Sequence, residues 1–261
     1  MEKPLITSLS NPLIKLARSL RQKKGRIETG LFLVEGIHHV GEVVEANWVV
    51  ESVLYAPDLL TSNFARDLLP RLTIQPQPVS AQVMESLADK DNPQGILAIM
   101  HQRKSQLDDL KGMRSGVAVV SPQDPGNVGS ILRTMDAVST DALFLLEGGV
   151  DLYHPSLVRA SMGTLFWKPV VQASFDEFVS WARGSRSSGV QLIGASAHAD
   201  VDYYTLVPQL PWVLVLGNEQ KGLSPEQTKA CDITISLPMK GRVSSLNLSV
   251  AAGVLLYALN A

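Results

Sequence analysis

The chain has 261 residues, 45% of them apolar and 18% charged, which supplies a sizeable core and excludes a disordered or collagen-like polypeptide. Lys plus Arg total 23 against 25 Asp plus Glu, a formal charge of -2, so no global basic field marks a nucleic-acid binder. Cys231 is the only cysteine, which excludes an intramolecular disulfide framework and a Cys-based zinc site.

The charge is unevenly spread. Residues 1–30 carry seven basic and two acidic side chains, and residues 31–100 carry three and nine. A phosphate-facing N-terminal arm and a solvated helix face both fit this pattern. Asn11-Pro12 opens an amphipathic stretch with Leu13, Ile14, Leu16, Ala17 and Leu20 on one side and basic residues on the other. Residues 31–34 read as a strand, 36–46 as a helix, 48–55 as a strand, and 62–69 and 80–88 as helices. A further strand is expected at 95–100, after the turn signal Asp91-Asn92-Pro93-Gln94-Gly95. This is a small α/β unit.

Residues 101–115 are polar and charged and read as a linker. Beyond them, apolar runs at 116–121, 142–146, 190–195, 212–217 and 233–237 are near-continuous, as in strands buried on both faces. Helical patterns at 127–138, 175–185 and 246–259 alternate with them, predicting a parallel sheet covered on both sides. No leader pattern and no run of about 18 apolar residues appears, so a soluble, intracellular protein without membrane contact is expected.

In an open α/β sheet, ligands bind beyond the carboxyl ends of the strands. Three loops there carry chemistry. In 124–134, DPGNVGSILRT, a tight turn precedes a helix, Asn127 is placed to cap it, and Arg133 lies within it. Such an N-terminus suits a phosphate, but on this segment alone a plain capped helix with its Arg in solvent is the favoured reading. In 213–224, VLVLGNEQKGLS, an apolar strand ends at Leu216 and Gly217, Glu219 follows within reach of Arg133, and Ser224-Pro225 opens a helix. In 237–259, Ser244, Ser245, Asn247 and Ser249 crowd the first turns of an otherwise apolar helix, where they bond locally or hold a ligand. The fingerprints G-x-x-x-x-G-K-[ST] and G-x-G-x-x-G are absent, which argues against a nucleotide-dependent oxidoreductase. His38, His39, His101, His154 and His198 show no metal-ligand spacing, and no metal is expected.

Taken together, in this order and at strand ends, these three segments resemble the SpoU (TrmH-type) ribose methyltransferases of the SPOUT superfamily. Residues 116–261 are similar to its catalytic domain. Residues 30–100, through FLVEG (32–36) and DNPQGILAIM (91–100), resemble its small L30e-like RNA substrate-binding domain, with 1–29 as a basic arm and 101–115 as linker. The resemblance implies an α/β fold with a trefoil knot threaded by the C-terminal segment, a homodimer, and a cytoplasmic enzyme. S-adenosylmethionine would be the methyl donor and a ribose 2′-hydroxyl of RNA the acceptor. Large-subunit ribosomal RNA is expected as substrate. Transfer RNA, or a non-catalytic RNA-binding assembly factor of the same fold, are the alternatives. Carried over by position, Asn127, Arg133, Glu219, Ser245 and Asn247 match the catalytic set. Leu216, Gly217, Leu237, Met239 and Leu246 match cofactor-contacting positions. Gln220 departs from the Gly that often follows the Glu in this family.

Overall fold

The computed structural model describes residues 3–88, 93–184, 189–197, 199 and 201–260. His198, the Asp91-Asn92 start of the expected turn signal and the last residue of the helix expected at 175–185 lie outside them. In chain order the fold begins with α1 (Pro12–Ser19), α2 (Lys23–Thr29), β1 (Leu31–Glu35), α3 (Ile37–Glu45), β2 (Val50–Tyr55) and α4 (Asn63–Leu68). Next come β3 (Gln77–Pro78), α5 (Ala81–Leu87), β4 (Ile96–His101), β5 (Ser115–Val120), α6 (Pro125–Ala137), β6 (Ala142–Leu146) and α7 (Pro155–Ala160). The chain ends with β7 (Val170–Ala173), α8 (Phe175–Arg183), β8 (Gln191–Ala195), β9 (Val201–Asp202), β10 (Trp212–Leu216), α9 (Pro225–Ala230), β11 (Ile233–Ser236) and α10 (Leu248–Leu259). Two compact units result, one of Met1–Arg103 with Asp151–Trp167, the other of Lys104–Val150 with Lys168–Ala261. No helix among the described residues is long and apolar enough to cross a membrane.

The first unit is built on a mixed four-stranded sheet of order β1-β4-β2-β3, antiparallel except for β2 beside β3. Asn11 caps α1 by accepting from the Leu13 amide, and Pro12 fits the first helical turn, where its missing N–H costs nothing. Ile14, Ala17 and Leu20 are fully buried against Leu33, Leu54, Val83, Leu97 and Ile99. Burial of a side chain such as Ile14 or Leu20 contributes roughly 1.5–3 kcal/mol. Helix α1 is therefore part of this core, and Lys15 and Arg18 occupy its outer face. Segment 151–167 belongs to the same unit. The Asp151 carboxylate accepts from Nε and Nη2 of Arg26 at 2.8 and 2.6 Å, and that guanidinium, 2% exposed, also donates to the carbonyls of Leu20 and Arg21. Tyr153 packs on Phe32, and Phe166 on Trp48, closing the far side of the sheet.

The second unit carries a seven-stranded, wholly parallel sheet of order β7-β6-β5-β10-β8-β11-β9. Every residue of β5 and β10 is buried, which is why the sequence shows no polar alternation there. Phe144 and Phe178, with ring centroids 4.9 Å apart, fill one face together with Trp181. Leu107 and Leu110, from the stretch read as linker, pack against this core, and Ser105 bridges to Val171. From β5 the chain winds outward through β6 and β7, then returns to lay β10 on the other side of β5. The β5–β10 boundary is thus the topological switch point, where α/β sheets open a crevice at their carboxyl ends.

Candidate active site at the switch point

The two strands that flank the switch point end in loops tied to each other. After β5, Ser121 takes a φ of 45°, a left-handed conformation that non-glycine residues seldom adopt, and Pro122 follows it. Its carbonyl accepts a 2.8 Å hydrogen bond from Nδ2 of Asn218, just beyond β10. The same Asn218 side chain accepts from the amides of Gln220 and Lys221, and its backbone pairs with Gly222, which closes the loop on itself. Gly217 permits that closure. A Cβ there would lie 2.1 Å from the Gly222 carbonyl carbon.

Glu219 projects from this loop and accepts from the backbone amides of Gln123 (3.1 and 3.2 Å) and Asp124 (3.3 Å). The expected reach to Arg133 is therefore corrected. The carboxylate is engaged by amides that precede α6, the donors nearest its own loop. Arg133 is exposed on α6, and its side chain makes no ion pair or hydrogen bond to another described residue.

The expected cap of α6 is corrected too. Pro125 occupies the first turn and holds Asp124 in an extended conformation (φ -102°, ψ 114°). The Asp124 side chain caps the helix by accepting from Gly126 N at 2.6 Å and Asn127 N at 3.4 Å. Asn127 is thereby released from capping. Its Oδ1 accepts a 2.9 Å bond from Nδ2 of Asn247, which itself caps α10 by accepting from Ser249 N and Val250 N. That helix starts at Leu248, later than the 246 expected, so Ser244, Ser245 and Leu246 precede it in an exposed loop rather than crowding its first turns. The reason is that the Asn247 side chain competes for the first free amides and ends the loop there.

The switch point thus gathers three loops: 121–124, 217–223 and 237–247. Asn127 and Asn247 join the first helix to the last, and Glu219 joins the β10 loop to the β5 loop. Leu216 and Gly217 are buried, Leu237 and Met239 half-buried, and Ser245 and Leu246 exposed. Sequence reasoning missed Ser121, Gln123, Asp124 and Asn218. For Asp124 the signal was present, since Asp before Pro at a helix start is a strong capping pattern. Ser121 and Gln123 act through backbone groups, and Asn218 through a side-chain bond to the Ser121 carbonyl, none of which a residue pattern records.

A family model described as SpoU rRNA Methylase matches residues 115–257, more than half of the chain and nearly all of the segment that carries these loops. The chain belongs to the SpoU rRNA methylase family. A second model, the MRM3-like substrate binding domain, matches residues 11–98. Among relatives of this family member, a 23S rRNA (uridine(2479)-2′-O)-methyltransferase of Streptomyces viridochromogenes is 33% identical over 244 residues, 91% of this chain and 85% of the relative. A 23S rRNA (guanosine(2553)-2′-O)-methyltransferase of Bacillus subtilis is 29% identical and covers 97% of both chains. The crystal structure of an AdoMet-bound rRNA methyltransferase from Sinorhizobium meliloti superposes with a TM-score of 0.87 at 33% identity, covering 98% of this chain and 97% of that one.

Proposed function

We propose that this SpoU family member transfers a methyl group from S-adenosylmethionine to a ribose 2′-hydroxyl of RNA, with 23S ribosomal RNA as substrate. The observation that carries this reading is the joining of the three loops at one switch point, through Asn247 to Asn127 and through Glu219 to Gln123 and Asp124. A diverged assembly factor that only binds RNA has no need of this polar set at the strand ends. The names of the relatives favour ribosomal over transfer RNA.

The residues present fit the donor. No hydrogen bond joins the backbone of residues 239–246 to another described residue, so its amides and carbonyls are open to an adenine edge and a ribose. Met239, Val243 and Leu246 supply exposed or half-exposed apolar surface in the same loop. Leu216, Gly217, Leu237, Met239 and Leu246 would hold the cofactor. When bound, it supplies an electrophilic methyl group on a sulfonium.

The chain's own task is alignment of the acceptor oxygen, which is worth several powers of ten in rate. Asn127 and Ser245 hold the acceptor ribose, and Asn247 fixes Asn127. Glu219 positions the β5 loop rather than moving a proton, since its oxygens are already bonded to amides. The N-termini of α6 and α10 are brought side by side by the Asn247–Asn127 bond and favour a substrate phosphate. Arg133 clamps that phosphate as a cation. A guanidinium cation has no lone pair with which to take the hydroxyl proton, which passes to the phosphate oxygen.

Helix α10 presents Val250, Val254 and Tyr257, one stripe that stays 51%, 37% and 62% exposed. This supports a homodimer formed over that face. The return of β11 between β8 and β9, followed by α10 on α6, is consistent with a C-terminal trefoil knot. A cytoplasmic location follows from a ribosomal substrate. Residues 1–103 with 151–167 form the proposed RNA substrate unit.

The test is transfer of labelled methyl groups from S-adenosylmethionine to unmodified total RNA, followed by size fractionation and alkaline digestion. Label in large ribosomal RNA as an alkali-resistant dinucleotide is expected. Label confined to transfer RNA would overturn the substrate, and no label in any RNA, with cofactor binding intact, would overturn the enzyme.

A further inference from the structure

The first unit contains a cavity of about 190 Å³ between β1, the start of α3 and α7. Buried Leu33, Leu87 and Val158 form its inner wall. Half-buried Arg21, Glu35 and Arg159 supply charge of both signs, and exposed His38 and Met162 stand at its mouth. His38 stacks on Phe64, with centroids 5.4 Å apart and planes at 29°, and Phe64 is itself 48% exposed. Met162 is 47% exposed and held at a φ of 49°, so the backbone presents this apolar side chain at some conformational cost. Arg21 also lines an open depression with Lys15 and Arg18, on α1 and the turn that follows it. The cavity and the basic track therefore share one residue.

The lining selects among ligands. Arg21 and Arg159 could meet a lone phosphate, but the leucine wall offers it no donor and the Glu35 carboxylate repels it. Drug-sized molecules occupy roughly 300–1,000 Å³, well above this volume. A cavity of about 150 Å³ accepts one benzene ring, so a single aromatic heterocycle is the matching size. An unpaired nucleobase offers a π face to the His38–Phe64 stack and N–H donors to Glu35, while its flanking phosphates require a basic track alongside.

We infer that this unit binds single-stranded RNA by taking one unstacked base into the cavity, with the adjoining phosphates on Lys15, Arg18 and Arg21. The inference deepens the proposed RNA-methylating function and rests on it for the identity of the polymer. It assigns the first unit a reading pocket as well as an electrostatic surface.

The experiment uses the full-length chain, a short fluorescent single-stranded RNA of mixed sequence, and the same ribose-phosphate backbone without bases. The double variant His38→Ala/Phe64→Ala is expected to raise the Kd for the RNA about ten-fold, the scale on which loss of a stacked base acts. It should leave binding to the baseless backbone, affinity for S-adenosylhomocysteine and the melting temperature unchanged. In methyl transfer, the effect should fall on KM and spare kcat. Met162→Glu, at an exposed position, should weaken RNA binding in the same way without touching the ring stack. Unchanged RNA affinity in both variants overturns the inference, as does an equal loss on the baseless backbone. If the wild type binds RNA through this cavity and methylates none, the inference stands and the enzymatic reading falls.

Discussion

Asn247 holds Asn127 at 2.9 Å where α6 and α10 begin, and Asn260 reaches Thr140 at 3.5 Å where the same two helices end. Between these ties, the Cα of Gly253 comes so close to α6 that a Cβ there would sit 3.9 Å from the Thr134 methyl. The helices run side by side in the same direction, and the first pair fixes where both N-termini lie. Asn247 is at once a cap and a tie, and the two roles are separable. Asn247→Ala should cost about 1 kcal/mol and lower the melting temperature by a few degrees. Asn247→Ser should restore the cap and hence the melting temperature, yet leave methyl transfer as low as in the alanine variant. Thermal denaturation and initial rates measured on the same preparations check both.

Glu219 ties the β10 loop to the amides ahead of α6. Glu219→Ala should cost about 1–2 kcal/mol, the scale of hydrogen bonds to a charged group at a half-exposed position. Glu219→Gln keeps an acceptor oxygen for one of the amides and should recover part of the activity. A proton-transfer role would instead leave the glutamine variant as inactive as the alanine one, and a side-by-side rate comparison decides this.

For Arg133 the expected outcome is a reduction in kcat of about a hundred-fold on substitution by Lys, with the pH–rate profile unmoved. Lysine keeps the charge and loses the planar fork. A shift of the pH optimum in the lysine variant would show that the residue itself takes the proton.

Gly217 and Gly222 sit in one loop and should respond differently. Gly217→Ala places a methyl group 2.1 Å from the Gly222 carbonyl carbon, and should weaken S-adenosylhomocysteine binding at least ten-fold while destabilising the chain by about 1–3 kcal/mol. Gly222→Ala meets no atom within 4 Å, and only its φ of 68° opposes the change, at about 1–2 kcal/mol. Isothermal titration calorimetry with the cofactor product separates the two.

Burial pushes the Cys231 thiol up to about 11, with the neighbouring Asp232 carboxylate adding to the effect. The folded chain therefore holds this proton more tightly than the unfolded one. The resulting stability is fully present below the ordinary thiol value of about 9 and is lost as pH rises from there through 11. Alkylation of the native protein by iodoacetamide at pH 8 should be slow, and urea should accelerate it. Equally fast alkylation with and without urea would contradict the burial.

The sheet of the second unit was legible because its strands are buried on both faces and read as unbroken apolar runs. Val117 to Val120 and Val213 to Leu216 leave no other assignment. Short pieces escaped. Helix α7 spans Pro155–Ala160, strand β7 Val170–Ala173 and strand β3 Gln77–Pro78, and none is long enough for periodicity to register. Asn127, Glu219 and Asn247 are brought into one hydrogen-bonded set, but residue type did not reveal their partners. Residue type points to Asn127 for the cap that Asp124 makes, and to Arg133 as partner of a Glu219 that binds amides. Residue types announce that hydrogen bonds are available, while the backbone conformation at Ser121 and Asp124 decides who receives them.

The Arg26–Asp151 pair has a consequence for biogenesis. The first unit buries a guanidinium whose carboxylate partner is made only after β5 and β6 of the second unit. A buried charge without its partner is costly, on the order of 3–5 kcal/mol. As the chain leaves the ribosome from its N-terminus, the first unit therefore stays incomplete until residue 151 and the aromatic segment behind it emerge. Protease cleavage within 101–115 would leave a fragment lacking its own closing piece. The N-terminal unit is not a module that evolution or an engineer can lift out by a single cut. A transplant has to carry Asp151–Trp167 with it, and any swap of the catalytic half brings along part of the wall against which RNA is read.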